Sequence, residues 1–209
     1  MIYDISPLVD ENTPIWPGDV PLSRTHQCRL SKGDSVDLSS LSSTVHIGAH
    51  ADAPSHFSVD GLSVDELELT DYFGSCHVVS VKKDSVILPE DISDCLAFQP
   101  ERILVRTDSF DHSGPFRTKF AYFHHEAIRL CGESGVRLIG IDTPSFDRFD
   151  SKTLDAHKAL LRFNIRNLEC LDLSKVSDGE YELVALPLKL RGFDASPVRA
   201  ILKTIESIP

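Results

Sequence analysis

No stretch of the sequence approaches the roughly 20 consecutive apolar residues that a bilayer-spanning helix needs. Nor is there a stripe of Lys and Arg. The nearest approaches, VKKD (Val81–Asp84) and KLRG (Lys189–Gly192), are too short, and the net charge of −11 repels a phosphate backbone. No membrane and no nucleic acid partner is therefore expected. Cysteine is sparse: Cys28, Cys76, Cys95, Cys131 and Cys170 are odd in number, scattered, and form no CxxC. They read as reduced, mostly buried thiols of a cytoplasmic protein rather than disulfides or a cysteine zinc site. The opening MIYDISPLVDEN has neither a basic region nor an apolar run, so no signal peptide is expected. Internal repeats and low-complexity tracts are also missing.

What is present suits one soluble domain over residues 1–209, with 41% hydrophobic and 25% charged residues. Val-, Ile- and Leu-rich runs predict strands at Cys76–Val81, Arg102–Thr107, Val136–Asp142 and Tyr181–Leu188. Helices are expected at Tyr122–Gly132, ending on a glycine cap, and at Ser196–Ser207. In the second, Ser196 would cap, Pro197 would open the first turn, and Val198, Ile201, Leu202 and Ile205 would share one face. The fold class is therefore mixed α/β (α+β), dominated by sheet. The stretch TPIWPGDVP (Thr13–Pro21) is turn chemistry and contains the lone tryptophan, Trp16.

The densest chemistry lies in VHIGAHADAPSH (Val45–His56), which holds three of the nine histidines and an aspartate. On a helix, His46, His50, Asp52 and His56 would stand at roughly 0°, 40°, 240° and 280°, two and two on different sides. On a straight strand they share a face, but His46 and His50 would be about 13 Å apart, too far for one metal. The segment must bend. Gly48 permits a sharp turn, and Pro54 forces Ala53 into an extended conformation. A bent loop brings His46, His50 and Asp52 onto a common point with His56 just beyond. Imidazole and carboxylate are the usual ligands of zinc or manganese in a hydrolytic site. A single histidine would more often be a hydrogen-bonded core residue; three with an aspartate in eleven residues favour a metal.

The remaining histidines carry less. His124 and His125 fall on a predicted helix as surface residues, and His26, His77 and His112 have no partners in sequence. His157, in DSKTLDAH, and Glu169, in NLEC, are twelve residues apart. On one continuous helix that is about 18 Å and roughly 120° of rotation, so they meet only if the chain folds back between them.

HIGAHADAPSHF resembles the HxGTHxDxPxH signature of the cyclase-like metal-dependent hydrolase family. The likeness runs nearly end to end, through DIS (Asp4–Ser6), PIWPGD (Pro14–Asp19), IGIDTPSFD (Ile139–Asp147), DSKTLDAH (Asp150–His157) and LPLKLRGFDASPVRAIL (Leu186–Leu202). The later stretches are similar to the family's formamidase branch. The resemblance implies a swivelling β/β/α domain, a homodimer, and two divalent metal ions per subunit, usually Zn2+ with Mn2+ as the alternative. One ion would be held by His46, His50, Asp52 and Glu169; the other by Asp52, His157 and Glu169. His56 matches the residue that gives and takes the catalytic proton, and Trp16 a substrate-contacting residue. The implied activity is hydrolysis of an aryl formamide, N-formyl-L-kynurenine, to L-kynurenine and formate. The nearest alternative is another hydrolase of the family, such as one that opens the cyclic amide isatin. A non-enzymatic structural metal protein is disfavoured, because structural zinc sites are mostly cysteine-rich. Ala49 stands where the signature has threonine, which removes no ligand.

Overall fold

The computed structural model describes residues 1–205. In chain order its elements are strands β1 (Ile2–Asp4), β2 (Ser23–Cys28), β3 (Leu38–Ser42), β4 (His50–Asp52), β5 (Phe73–Ser80) and β6 (Val86–Ile87), and helix α1 (Pro89–Leu96). Then follow β7 (Arg102–Arg106), β8 (Tyr122–Phe123), α2 (His125–Glu133), β9 (Leu138–Ile141), α3 (Asp155–Arg162), β10 (Arg166–Leu168), β11 (Gly179–Val184), β12 (Ala195–Pro197) and β13 (Ile201–Thr204). Seven strands form a mixed sheet in the order β1-β13-β11-β5-β7-β9-β10. Its β5-β7-β9-β10 half is parallel and its other half antiparallel. The mixed α/β class dominated by sheet is as the sequence predicts. No helix among the described residues is long and apolar enough to cross a membrane.

Alternation along the strands splits the core in two. In β7, Ile103 and Val105 turn toward the helices and join Ile92, Ile128 and Leu160. Leu104 between them turns to the other face, with Tyr72, Leu138, Leu168 and Leu183. Ile103, Leu104 and Val105 are all fully buried, and each such side chain contributes about 1.5–3 kcal/mol by leaving water. The sheet centre is therefore the best-buried part of the fold. All five cysteines are free, and only Cys28 is not buried.

Two expectations are corrected. The segment predicted as a helix from Ser196 is extended, forming β12 and β13; Glu206 and Ser207 of that prediction lie outside the described residues. The buried set is Ser196, Val198, Ala200 and Leu202, a period of two rather than 3.6. Backbone partners decide it: β12 pairs with β4, and β13 is sandwiched between β1 and β11. Ser196 does not cap a helix; its Oγ accepts the Leu188 amide at 2.8 Å. Pairing on both sides overrides a local helix signal. The other helix starts later than expected, because Tyr122 and Phe123 pair with β6. It runs through Gly132 instead of ending there. A Cβ on Gly132 would lie 2.6 Å from Phe163 Cβ, so that glycine serves the close approach of the chain following α3.

Candidate metal centre

The histidine loop bends at Gly48, which has φ +58°. A side chain there would also press Val9, with Cβ 2.5 Å from its Cγ2. The bend brings the His46 and His50 ring centroids to 5.1 Å. Along β4 the residues then alternate. Ala49, Ala51 and Ala53 pack into the apolar core, while His50 and Asp52, also buried, line a cleft. Ala49, the departure from the family signature, does not line that cleft. Ala53 is extended before Pro54, and a single 3-10 turn, Pro54–His56, sets His56 at the mouth. His50 exchanges both backbone hydrogen bonds with Glu169, at 3.3 and 3.0 Å. That register brings Glu169 beside the loop.

His157 arrives from the first turn of α3. The chain reverses at Asn164, φ +54°, and runs into β10, which lies parallel to β9. Glu169 follows β10. This reversal is the fold-back that twelve-residue spacing could not supply. His157 Nε2 lies 3.3 Å from Glu169 Oε1 and 3.7 Å from Asp52 Oδ2. Asp147 orients it: Oδ2 accepts from His157 Nδ1 at 2.6 Å and from the His157 amide at 3.1 Å, and Oδ1 accepts from the Ala156 amide at 3.1 Å. A carboxylate on the free amides of a helix start is favourable in its own right.

His50 repeats the arrangement. Its Nδ1 donates to Gly48 O at 2.8 Å, which leaves Nε2 as the lone-pair nitrogen. That atom faces Asp52 Oδ1 and Glu169 Oε2, each 3.5 Å away. Both His50 Nε2 and Asp52 Oδ1 are buried without a hydrogen-bond partner. A lone pair aimed at two carboxylates is repulsive unless positive charge lies between them. His50, Asp52 and Glu169 offer ligand atoms all within 4.8 Å of one another, as do His46, Asp52 and His56. Donor types, orientation and orphaned atoms all fit divalent cations.

The charges agree. Burial pushes His46 down, yet Asp52 and Asp194 more than compensate and lift it to about 9. Burial likewise opposes protonation of His50 and His157, and the pull of Glu169 on the first and of Asp147, Asp52 and Glu169 on the second prevails and raises both. Asp52 is held well below the carboxylate range despite its burial, by His157 and His46. Asn167 Nδ2 adds a hydrogen bond to Asp52 Oδ2 at 2.7 Å. In the metal-free protein the histidines thus supply positive charge to two buried carboxylates.

The cleft holds about 530 Å³ and is lined by Trp16 and Phe116 as well as by the histidine–carboxylate set. Trp16 is half-buried, 4.9 Å from the Phe149 ring and 5.5 Å from Phe116. A slightly larger hollow, about 630 Å³, opens between Asp10, His112 and Asp172 and shares no residue with that set. The remaining histidines have other tasks: His77 stacks on Phe98, His112 bonds Leu171 O, and His124 caps α2 rather than lying on its surface. Sequence reasoning passed over Asp147, Asn167 and Asp194. Asp194 Oδ2 is 3.0 Å from His46 Nε2 and 3.2 Å from His56 Nδ1. The first and last of these lie in stretches matched by the family likeness, but no local spacing marks them.

The family model Cyclase matches residues 3–148, more than half of the chain. Among solved structures, the chain is similar to a "potential metal-dependent hydrolase with cyclase activity", with 28% identity and a TM-score of 0.83 over 97% of this chain and 96% of that one. A "predicted metal-dependent hydrolase from Bacillus stearothermophilus" matches with 28% identity, TM-score 0.80 and 97% of both chains. Isatin hydrolase A from Labrenzia aggregata matches with 26% identity and TM-score 0.81, over 97% of this chain and 93% of that one.

Proposed function

The chain belongs to the Cyclase family, and from that membership we propose that it is a metal-dependent amide hydrolase, a kynurenine formamidase that converts N-formyl-L-kynurenine to L-kynurenine and formate. The observation that carries this reading is the shared orientation of His50 and His157. Each commits Nδ1 to an oxygen behind it and turns Nε2 toward Asp52 and Glu169.

In this reading His46, His50, Asp52 and Glu169 would hold one divalent cation, and Asp52, His157 and Glu169 would hold a second. Zinc suits the donors best and manganese is the alternative. When bound, such cations supply Lewis acidity and a strong nucleophile from water at neutral pH. His56, with its side chain 37% exposed at the cleft mouth, takes the proton released by the attacking water. It returns that proton to the departing aryl-amine nitrogen, a role typically worth about 10²–10⁴-fold in rate. Trp16, braced by Phe116 and Phe149, offers a flat face to the aryl ring. A cleft of this size falls within the roughly 300–1,000 Å³ of small-molecule sites. The proposal includes a homodimer, checked by the sedimentation mass, and a cytoplasmic location.

A second reading has one observation of its own. The likeness to an isatin hydrolase favours ring-opening of isatin, a cyclic aryl amide, by the same residues. Purified protein is assayed on both substrates after chelation and after zinc add-back. Formamide turnover that disappears with chelator and returns with zinc supports the first reading. Faster turnover of isatin supports the second. Inactivity on both with zinc present removes both.

A further inference from the structure

We infer that Asp194 is a positioning residue that sets the ring tautomers of His46 and His56 together, through one carboxylate oxygen. The inference rests on the metal-hydrolase reading of the cleft and adds a residue to it.

The backbone holds Asp194 in place. Its carbonyl accepts the Ala53 amide at 2.8 Å, and the Phe193 carbonyl accepts the Val64 amide at 2.9 Å. The next residue, Ala195, pairs with Asp52. Asp194 is therefore fixed against the same loop that carries the histidines. From there Oδ2 reaches His46 Nε2 at 3.0 Å and His56 Nδ1 at 3.2 Å, and the two ring centroids are 4.2 Å apart.

An ionised carboxylate only accepts, so each ring nitrogen facing it must carry hydrogen. For His46 this keeps hydrogen on Nε2, so that Nδ1, 3.0 Å from Asp52 Oδ1 inside the candidate metal centre, is the nitrogen that would give up its hydrogen to ligate a bound cation. For His56 it leaves Nε2 as the free base. A neutral histidine in water favours hydrogen on Nε2, so this tautomer needs an acceptor to hold it. Carboxylates behind ligand histidines have this effect on tautomer and basicity. Here one oxygen serves a ligand and the proton carrier at once, so its loss should weaken metal binding and turnover together. Substitution of His56 alone should touch only turnover.

The test uses Asp194→Asn, a near-isosteric change at a side chain that is 47% exposed; an unchanged Tm checks the fold. Zinc affinity, read by competition with a chromophoric chelator, is expected to fall about 10–100-fold. Nitrogen NMR of the zinc-loaded protein is expected to show hydrogen on His56 Nδ1 in the wild type and its transfer to Nε2 in the variant. At saturating zinc, kcat on N-formylkynurenine is expected to fall about 10–100-fold with KM within about threefold. An unchanged zinc affinity, an unchanged His56 tautomer, or a loss confined to KM overturns the inference. Should the wild type hydrolyse no aryl formamide, the substrate reading falls, while the affinity and NMR measurements still decide the role of Asp194.

Discussion

His50 directs Nε2 at Asp52 Oδ1 across 3.5 Å, and neither atom, though buried, has a hydrogen-bond partner. Buried polar atoms are ordinarily satisfied, and an unpaired one costs about 1–3 kcal/mol. Two such atoms facing each other mark a place made for a third, positively charged body.

His56→Ala should retain bound zinc, since the buried donors His50, Asp52, His157 and Glu169 are untouched. Its kcat on N-formylkynurenine should fall about 10²–10⁴-fold. Elemental analysis alongside steady-state kinetics checks both halves; zinc loss in step with activity would move His56 from proton carrier to ligand.

Asp147→Asn should weaken zinc binding about 10–100-fold, because His157 loses the carboxylate that fixes its Nδ1–H. The same change should lower stability by up to ~1 kcal/mol, because the first amides of α3 lose an anionic acceptor. Chelator competition and urea unfolding of the metal-free forms measure the two effects separately.

Much of this was readable beforehand. His46, His50, Asp52 and His56 sit on one short loop, and ligand distance alone required a bend, which Gly48 supplies. His157 and Glu169 were different. They converge because α3 packs on the sheet and the chain reverses at Asn164, a long-range outcome that spacing does not encode; only the family likeness joined them. Ser196–Ser207 misled for the same reason. Its Ser-Pro start and apolar spacing are local, whereas two of the strands that capture it, β4 and β1, are distant in sequence. Asp194 was hidden among 32 acidic residues. Its role depends on the backbone bond to Ala53, which follows from that same misread pairing.

Trp16→Ala should raise KM for the aryl formamide about 2–10-fold, the range of an aromatic contact, and leave kcat nearly unchanged. The ring packs on Phe149 and Phe116 and lines the cleft without making a hydrogen bond to the carboxylates. A fall in kcat with constant KM would show that the tryptophan acts on the chemistry instead.

His112 gives a pH dependence outside the metal centre. Burial pushes its pKa below 6.5, and Nε2 donates to Leu171 O at 3.1 Å. The unfolded chain therefore binds more protons in the window between the folded value and 6.5, so stability rises with pH across that window. It is lost as pH falls through the same window. Between pH 7.5 and 5.5, about a unit either side of the reference value, the Tm of wild type should fall further than that of His112→Gln. Equal slopes would remove His112 as a contributor.

The most direct measurement is an anomalous difference map from crystals grown with zinc. Strong density among His50 Nε2, His157 Nε2, Asp52 and Glu169 is the predicted result. A map without density there, from protein that still hydrolyses the formamide, would contradict the account.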